Sequence, residues 1–218
     1  MQIGIIAEGH SDRAVIINVI SGITGLDESN FQALLPQYKY DATDVAAGRG
    51  EIHGGWAAVK NECEKRIFID EFLWQEGNDF LVIHFDTAES ALYNIRQPQK
   101  GSEYSSELRT LVINQIISWL GEDLSNSLLY AIAVEETDAW ILTLIEDRDS
   151  TKSGKAKERL EFKKGLKKGK LKPSYDLYLD FSKEFKLAKP KDINKYLSRN
   201  RSLYDFYHEV RSKVIPAL

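Results

Sequence analysis

Three short segments of the chain place carboxylates where chemistry could occur. The first is Glu8-Gly9-His10-Ser11-Asp12, which follows the apolar run Ile3–Ala7. The second is Asp86, directly after Phe80-Leu81-Val82-Ile83-His84-Phe85, with Glu89 nearby. The third is Glu136-Thr137-Asp138, with Glu135 as a close alternative to Glu136. Carboxylates gathered in one crevice repel one another unless a cation neutralises them, and their hard oxygen ligands suit Mg²⁺ or Mn²⁺. No histidine or cysteine cluster of the zinc type accompanies them. The same residues also have plainer readings: Ser11 or Asp12 could cap a helix, and Glu8 could be a solvated loop acid.

These acids need elements to hold them. Ile3–Ala7 reads as a buried parallel strand closed by a turn at Gly9, with a helix beginning at Arg13-Ala14-Val15-Ile16-Ile17. Glu8 then sits at a strand's carboxyl end, where open α/β sheets place their ligand crevice. Phe31–Tyr38 predicts a short edge strand, because Pro36 argues against a central position. Residues 39–55 read as loop. A helix is expected from about Gly55 to Gln75, a buried strand at 80–85, a helix from about Ser105 to Leu120 and a strand at Leu128–Val134. The alternation of strands and helices predicts an α/β fold with a mostly parallel central sheet.

Charge divides the chain unevenly. Residues 1–150 hold 10 Lys and Arg against 25 Asp and Glu, a net of −15. Residues 151–218 hold 19 against 8, a net of +11. This predicts an α/β domain over 1–150 and a basic, mainly helical extension over 151–218. Ten of the basic residues fall within 151–173, among them Lys152, Lys155, Lys157, Lys163, Lys164, Lys167 and Lys168. Such a run attracts polyanions through phosphate neutralisation and counterion release. A Lys/Gly-rich run also reads as a solvated loop.

Composition excludes several classes. One cysteine in 218 residues rules out a disulfide framework and fits a reducing compartment. No window approaches a membrane span, and the opening residues lack the basic flank and cleavage site of a signal peptide. A soluble cytoplasmic protein is expected. His10 and His53 read first as loop residues, and Trp56, Trp74, Trp119 and Trp140 as core or interface residues. Tyr175, Tyr178, Phe181 and Phe185 recur near helical spacing, as a packed face does.

The acidic segments carry a resemblance. Glu8-Gly9-x-Ser11-Asp12 after a strand, with an acid after a second strand, resembles the Toprim domain of topoisomerases, primases and OLD (overcoming lysogenization defect) nucleases. Of these, the chain more closely resembles the small stand-alone Toprim proteins of bacterial defence and mobile-element operons. Their third motif resembles Glu136-Thr137-Asp138-Ala139-Trp140-Ile141-Leu142. Their tail resembles Pro190-Lys191-Asp192-Ile193-Asn194 through Ser202-Leu203-Tyr204-Asp205-Phe206. The family's second motif is usually Asp-x-Asp, and here the chain departs from it. Either Asp86 is the first acid and Ala88 has replaced the second, or Asp86 is the second and His84 has replaced the first. The former is preferred, because His84 falls within the strand.

The resemblance implies a Mg²⁺- or Mn²⁺-dependent nuclease acting on DNA or RNA in anti-phage defence, beside an ATPase partner. Glu8, Asp12 and Asp86 would be catalytic. Those three with Glu89, Glu136 and Asp138 would form the metal-ligand set, and the basic run would guide nucleic acid. The alternative is a catalytically weakened binding or regulatory subunit of an ATPase complex, which the missing acid at Ala88 favours. A homo-oligomer is compatible with either. A flavodoxin-like phosphoacceptor domain using Asp86 would leave the basic half and the Glu136–Trp140 joint without a role.

Overall fold

The structure, a computed structural model, describes residues 1–37, 54–121, 124, 126–151 and 154–218. Four strands form one parallel sheet: β1 (Gln2–Ile6), β2 (Phe31–Leu35), β3 (Asn78–Asp86) and β4 (Leu128–Ala133), in the order β2-β1-β3-β4. The fold is therefore α/β, with helices on both faces of the sheet. β2 lies at an edge, as Pro36 predicts. The predicted loop over 39–55 falls largely outside the described residues, and His53 lies there too.

Alternation along the strands creates two cores. Ile3, Ile5, Val82, Leu129 and Ala131 face one way, against α1 (His10–Thr24), α5 (Asp138–Ile145), α6 (Ala156–Lys163), α7 (Tyr175–Leu187), α8 (Pro190–Leu197) and α9 (Arg201–Lys213). Ile6, Leu81, Ile83, Phe85 and Ile132 face the other way, against α2 (Trp56–Lys65), α3 (Ile67–Leu73) and α4 (Tyr104–Leu120). Gly4 sits where strand and helix are tightest: a Cβ there would lie 2.9 Å from Leu34 and 3.1 Å from both Leu81 and Phe72. Side chains of the basic C-terminal part (Ala156, Leu160, Tyr178, Phe185, Leu203, Phe206, Val210) belong to the same core as β1 and α1.

The exposed edge of β4 is covered by α9. Glu209 accepts the N–H of Tyr130, Lys213 donates to the carbonyl of Leu128, and the Ser202 hydroxyl accepts the N–H of Val134. An open strand edge otherwise invites pairing with another chain. Trp140 is fully buried, stacked on Phe206 at 5.5 Å between ring centroids, and its Nε1 donates to Ser202.

Three details differ from the sequence expectations. The single helix expected over 55–75 is two, broken where Arg66 takes a left-handed conformation (φ 57°). Glu62 explains the break, since its buried carboxylate accepts the N–H groups of Phe68 and Ile69 at the start of α3. Neither Ser11 nor Asp12 caps α1; Gly9 holds that position with no side-chain cap. Trp74, for which a core position is one of two expectations, is 92% exposed and lies outside the core. No described helix is long and apolar enough to cross a membrane.

Candidate metal centre

The sheet order reverses direction at β1: β2 lies on one side of it and β3 on the other. Such a switch point leaves a crevice outside the strands' carboxyl ends, because the connecting helices depart to opposite faces. Glu8 follows β1 and Asp86 ends β3, so both stand at this crevice. They are joined directly, the Oε1 of Glu8 accepting the backbone N–H of Asp86 at 2.8 Å. The Glu8 carbonyl accepts the N–H of Gly55 at 2.7 Å, fixing the loop after β1. Gly9 is extended (φ −140°), so its value is space. A Cβ there would lie 2.8 Å from an Asp12 carboxylate oxygen, which folds back over the loop.

His84 and Asp86 lie two residues apart on β3, hence on the same face of the sheet. Asp12 reaches them from the first turn of α1. One ligand atom from each of Asp12, His84 and Asp86 lies within 4.8 Å of the other two. Thr137, just before α5, locks this arrangement. Its N–H and its hydroxyl both donate to Oδ1 of Asp86, at 3.0 and 2.8 Å. The Nε2 of fully buried His84 lies 2.9 Å from the Thr137 hydroxyl and 3.3 Å from Oδ1 of Asp86. Its Nδ1 is buried without a hydrogen-bond partner among the described residues.

Packing so many acids together makes the metal-free crevice hold protons. Burial, then the nearby Asp86 carboxylate, pushes Glu8 up to about 8. The same two causes push Asp12 up to about 6. Burial also raises Asp138 to about 7, against a lowering hydrogen bond from Tyr178. For His84 burial disfavours the cation, but Asp86, Asp12 and Glu8 outweigh it and push the imidazole up to about 9. A divalent cation would satisfy what these protons now satisfy. Two carboxylates with one imidazole fit Mn²⁺ well and Mg²⁺ through the oxygens.

The remaining predicted site residues are distributed around this group. Glu89 is exposed on the 3₁₀ turn Thr87–Tyr93 and lies outside the cluster. Ala88 is exposed too, its N–H bound to the carbonyl of Glu135. Of the two residues that could pair with Asp86, it is therefore His84 that shares its face. Asp138, buried, accepts a 2.7 Å hydrogen bond from Tyr178. Glu136 accepts the N–H of Lys157 at 3.0 Å, and burial raises its pKa. Glu135 turns away to Tyr104 and Lys100, on a backbone with φ 70°. Neither Glu136 nor Asp138 joins the 4.8 Å group, although the charge of Asp86 reaches both.

Of the predicted nucleic-acid residues, Lys152 lies outside the described residues. Lys155 and Lys167 are exposed, and Lys157 is half-buried in the first turn of α6. Lys163 approaches Glu146 at 3.6 Å, Lys168 pairs with Glu158 at 3.1 Å, and the Lys164 ammonium lies 4.2 Å from the centre of the Phe181 ring. Thr137 is legible in the sequence only as a spacer between acids. His84 is legible there as the less favoured replacement for a motif acid, set aside because it falls within the strand. A polar residue two positions before a strand-end acid, on the same face, is the signal that marks His84.

No protein-family model matches the chain, and no curated protein or solved structure is significantly similar to it.

Proposed function

We propose that the crevice binds Mn²⁺ or Mg²⁺ and hydrolyses phosphodiester bonds of DNA or RNA, as a Toprim-type nuclease would. The observation that carries this reading is the convergence of Asp12, His84 and Asp86 at the β1/β3 switch point, with Glu8 bonded to Asp86. Asp12 and Asp86 would hold the cation, with His84 beside them. A bound divalent cation supplies Lewis-acid stabilisation of charge developing on the phosphate and lowers the pKa of water. Glu8, held beside Asp86 by its bond to that residue's N–H, would exchange a proton with the attacking water. Thr137 fixes the orientation of Asp86, and Glu136 and Asp138 extend the acidic wall toward the basic helix α6. The sequence resemblance adds a setting: a cytoplasmic defence effector working beside an ATPase.

Purified protein incubated with Mn²⁺ or Mg²⁺ and with single- and double-stranded DNA and RNA tests this. Metal-dependent cleavage lost in Asp86→Asn is the expected result. Absence of cleavage by both the natural chain and Ala88→Asp sinks the nuclease reading.

One observation favours a second reading, a non-catalytic subunit that uses the sheet to dock on an ATPase. His84 stands among the acids where an imidazolium would offset their charge without a metal. A subunit of this kind would show no thermal stabilisation by Mn²⁺ or Mg²⁺.

A further inference from the structure

The stretch after α5 presents a surface that the crevice itself does not use. Glu161 is buried on α6, and its two carboxylate oxygens accept the N–H groups of Gly169 and Leu171 at 2.9 and 2.8 Å. The lysine-rich segment 164–172 is thereby anchored to α6, while its lysines stay exposed on a loop. The segment shows Leu166, 38% exposed, and α6 shows Phe162, 77% exposed, in a cleft shared with Lys155, Lys163, Glu146, Asp147 and Glu158. Several of those lysines are partly neutralised or packed, as described for Lys163, Lys164 and Lys168. The ammonium groups of Lys155, Lys167, Lys170 and Lys172 have no ion-pair or hydrogen-bond partner among the described residues.

This surface starts at the acidic crevice. The N–H of Lys157, in the first turn of α6, donates to Glu136. Phe162 lies five residues further, about 7.5 Å along the helix axis. An exposed phenyl ring beside the unpaired ammonium of Lys155, with further unpaired lysines on the segment that follows, fits a partner that is both polyanionic and able to offer a flat apolar face. A duplex shows its phosphates but hides its base faces. An unpaired strand offers both, and base stacking on an aromatic ring is sequence-tolerant.

We propose that α6 and the lysine segment bind single-stranded nucleic acid, one base stacking on Phe162 while flanking phosphates lie against Lys155, Lys167 and Lys170. The inference rests on reading the crevice as a phosphodiester-hydrolysing site, to which this surface would deliver the strand.

The test is fluorescence anisotropy with labelled oligo(dT) and a labelled duplex of equal length, using the full chain in EDTA so that no cleavage intervenes. The natural chain is expected to bind the single strand more tightly than the duplex. Phe162→Ala should weaken single-strand binding about 10-fold, leave duplex binding within about twofold, and be rescued by Phe162→Trp. Because Phe162 is exposed, the substitution leaves the core intact. The double substitution of Lys167 and Lys170 by Ala should weaken both forms and reduce the single-strand salt slope by about 1.4. The proposal is overturned by unchanged binding in Phe162→Ala, by duplex preference, or by no oligonucleotide binding. It is equally overturned if Phe162 proves to serve phosphatidylserine vesicles and not the strand. Metal-dependent cleavage with Phe162 irrelevant to binding would remove this inference and keep the crevice reading. Strand binding through Phe162 without metal-dependent cleavage would do the reverse.

Discussion

The phenol of Tyr178, in the basic C-terminal half, donates a 2.7 Å hydrogen bond to Oδ1 of Asp138, in the acidic half. Both groups are buried, Tyr178 fully. The bond ties α7 to the acidic joint before α5, and it opposes the upward push that burial gives the Asp138 carboxyl. Tyr178→Phe removes the donor and leaves a buried carboxyl short of a partner. A loss of about 1–3 kcal/mol in urea unfolding is expected. The Asp138 titration, followed by carboxyl carbon NMR, should move further upward. An unchanged titration would mean that Tyr178 only packs there.

Cation binding can be read without any substrate. If Asp12, His84 and Asp86 hold Mn²⁺, the natural chain gains about 2.7 kcal/mol at a metal concentration 100 times the dissociation constant. Asp86→Asn and Asp12→Asn should each abolish most of that gain in a thermal melt. His84→Asp supplies a third oxygen in place of the imidazole, so it should shift preference toward Mg²⁺. Equal stabilisation of the natural chain and Asp86→Asn would remove the site.

The pH dependence of stability has a definite sign. Glu8, Asp12 and Asp138 all titrate higher in the folded, metal-free protein than carboxyls ordinarily do, at about 8, 6 and 7. The native state therefore binds more protons than the unfolded chain, and their contribution is lost as pH rises through those values. His84, raised to about 9, acts in the same direction: its contribution is complete below its ordinary 6.5 and is lost as pH rises through 9. Metal-free protein should accordingly melt at lower temperature at pH 9 than at pH 6. Mn²⁺ takes the place of the protons, so its stabilisation should grow over the same interval. A metal-induced shift independent of pH would contradict this.

The strands and their acids were legible because buried parallel strands read as short apolar runs and strand-end acids interrupt them abruptly. Phe80–Phe85 with Asp86 is the clearest instance. Position along the chain does not show which tertiary bonds a side chain makes. His84 is the less favoured motif partner of Asp86 in the sequence because it falls within the strand, yet the strand's alternation puts it beside Asp86, and Thr137 holds both. The break at Arg66 was equally hidden, because it depends on Glu62 reaching forward to Phe68 and Ile69. Lysine-rich 164–172 is the exposed loop its composition suggests, but its anchor, Glu161 binding its backbone, is not visible in the sequence.

The crossing of α1 and α7 supplies the last prediction, since α7 is what carries Tyr178 to Asp138. Asn18 of α1 donates to the carbonyl of Leu179 and to the hydroxyl of Ser182, both at 2.8 Å. One turn further on, a Cβ on Gly22 would lie 2.1 Å from the carbonyl oxygen of Phe185. Helix propensity alone makes Gly22→Ala favourable by about 1 kcal/mol. The clash opposes this, and because it falls on backbone, no side-chain rotation relieves it. Overpacking costs about 1–3 kcal/mol, so the net effect should be destabilising. Gly25→Ala is the control: nothing lies within 4 Å of its Cβ, and the only penalty is the left-handed φ of 75°. Urea unfolding should show a net loss for Gly22→Ala, and the displaced α7 should also perturb the Asp138 titration. Gly25→Ala should lower stability without touching Asp138. A Gly22→Ala protein more stable than the natural chain would show that the two helices do not need this close approach.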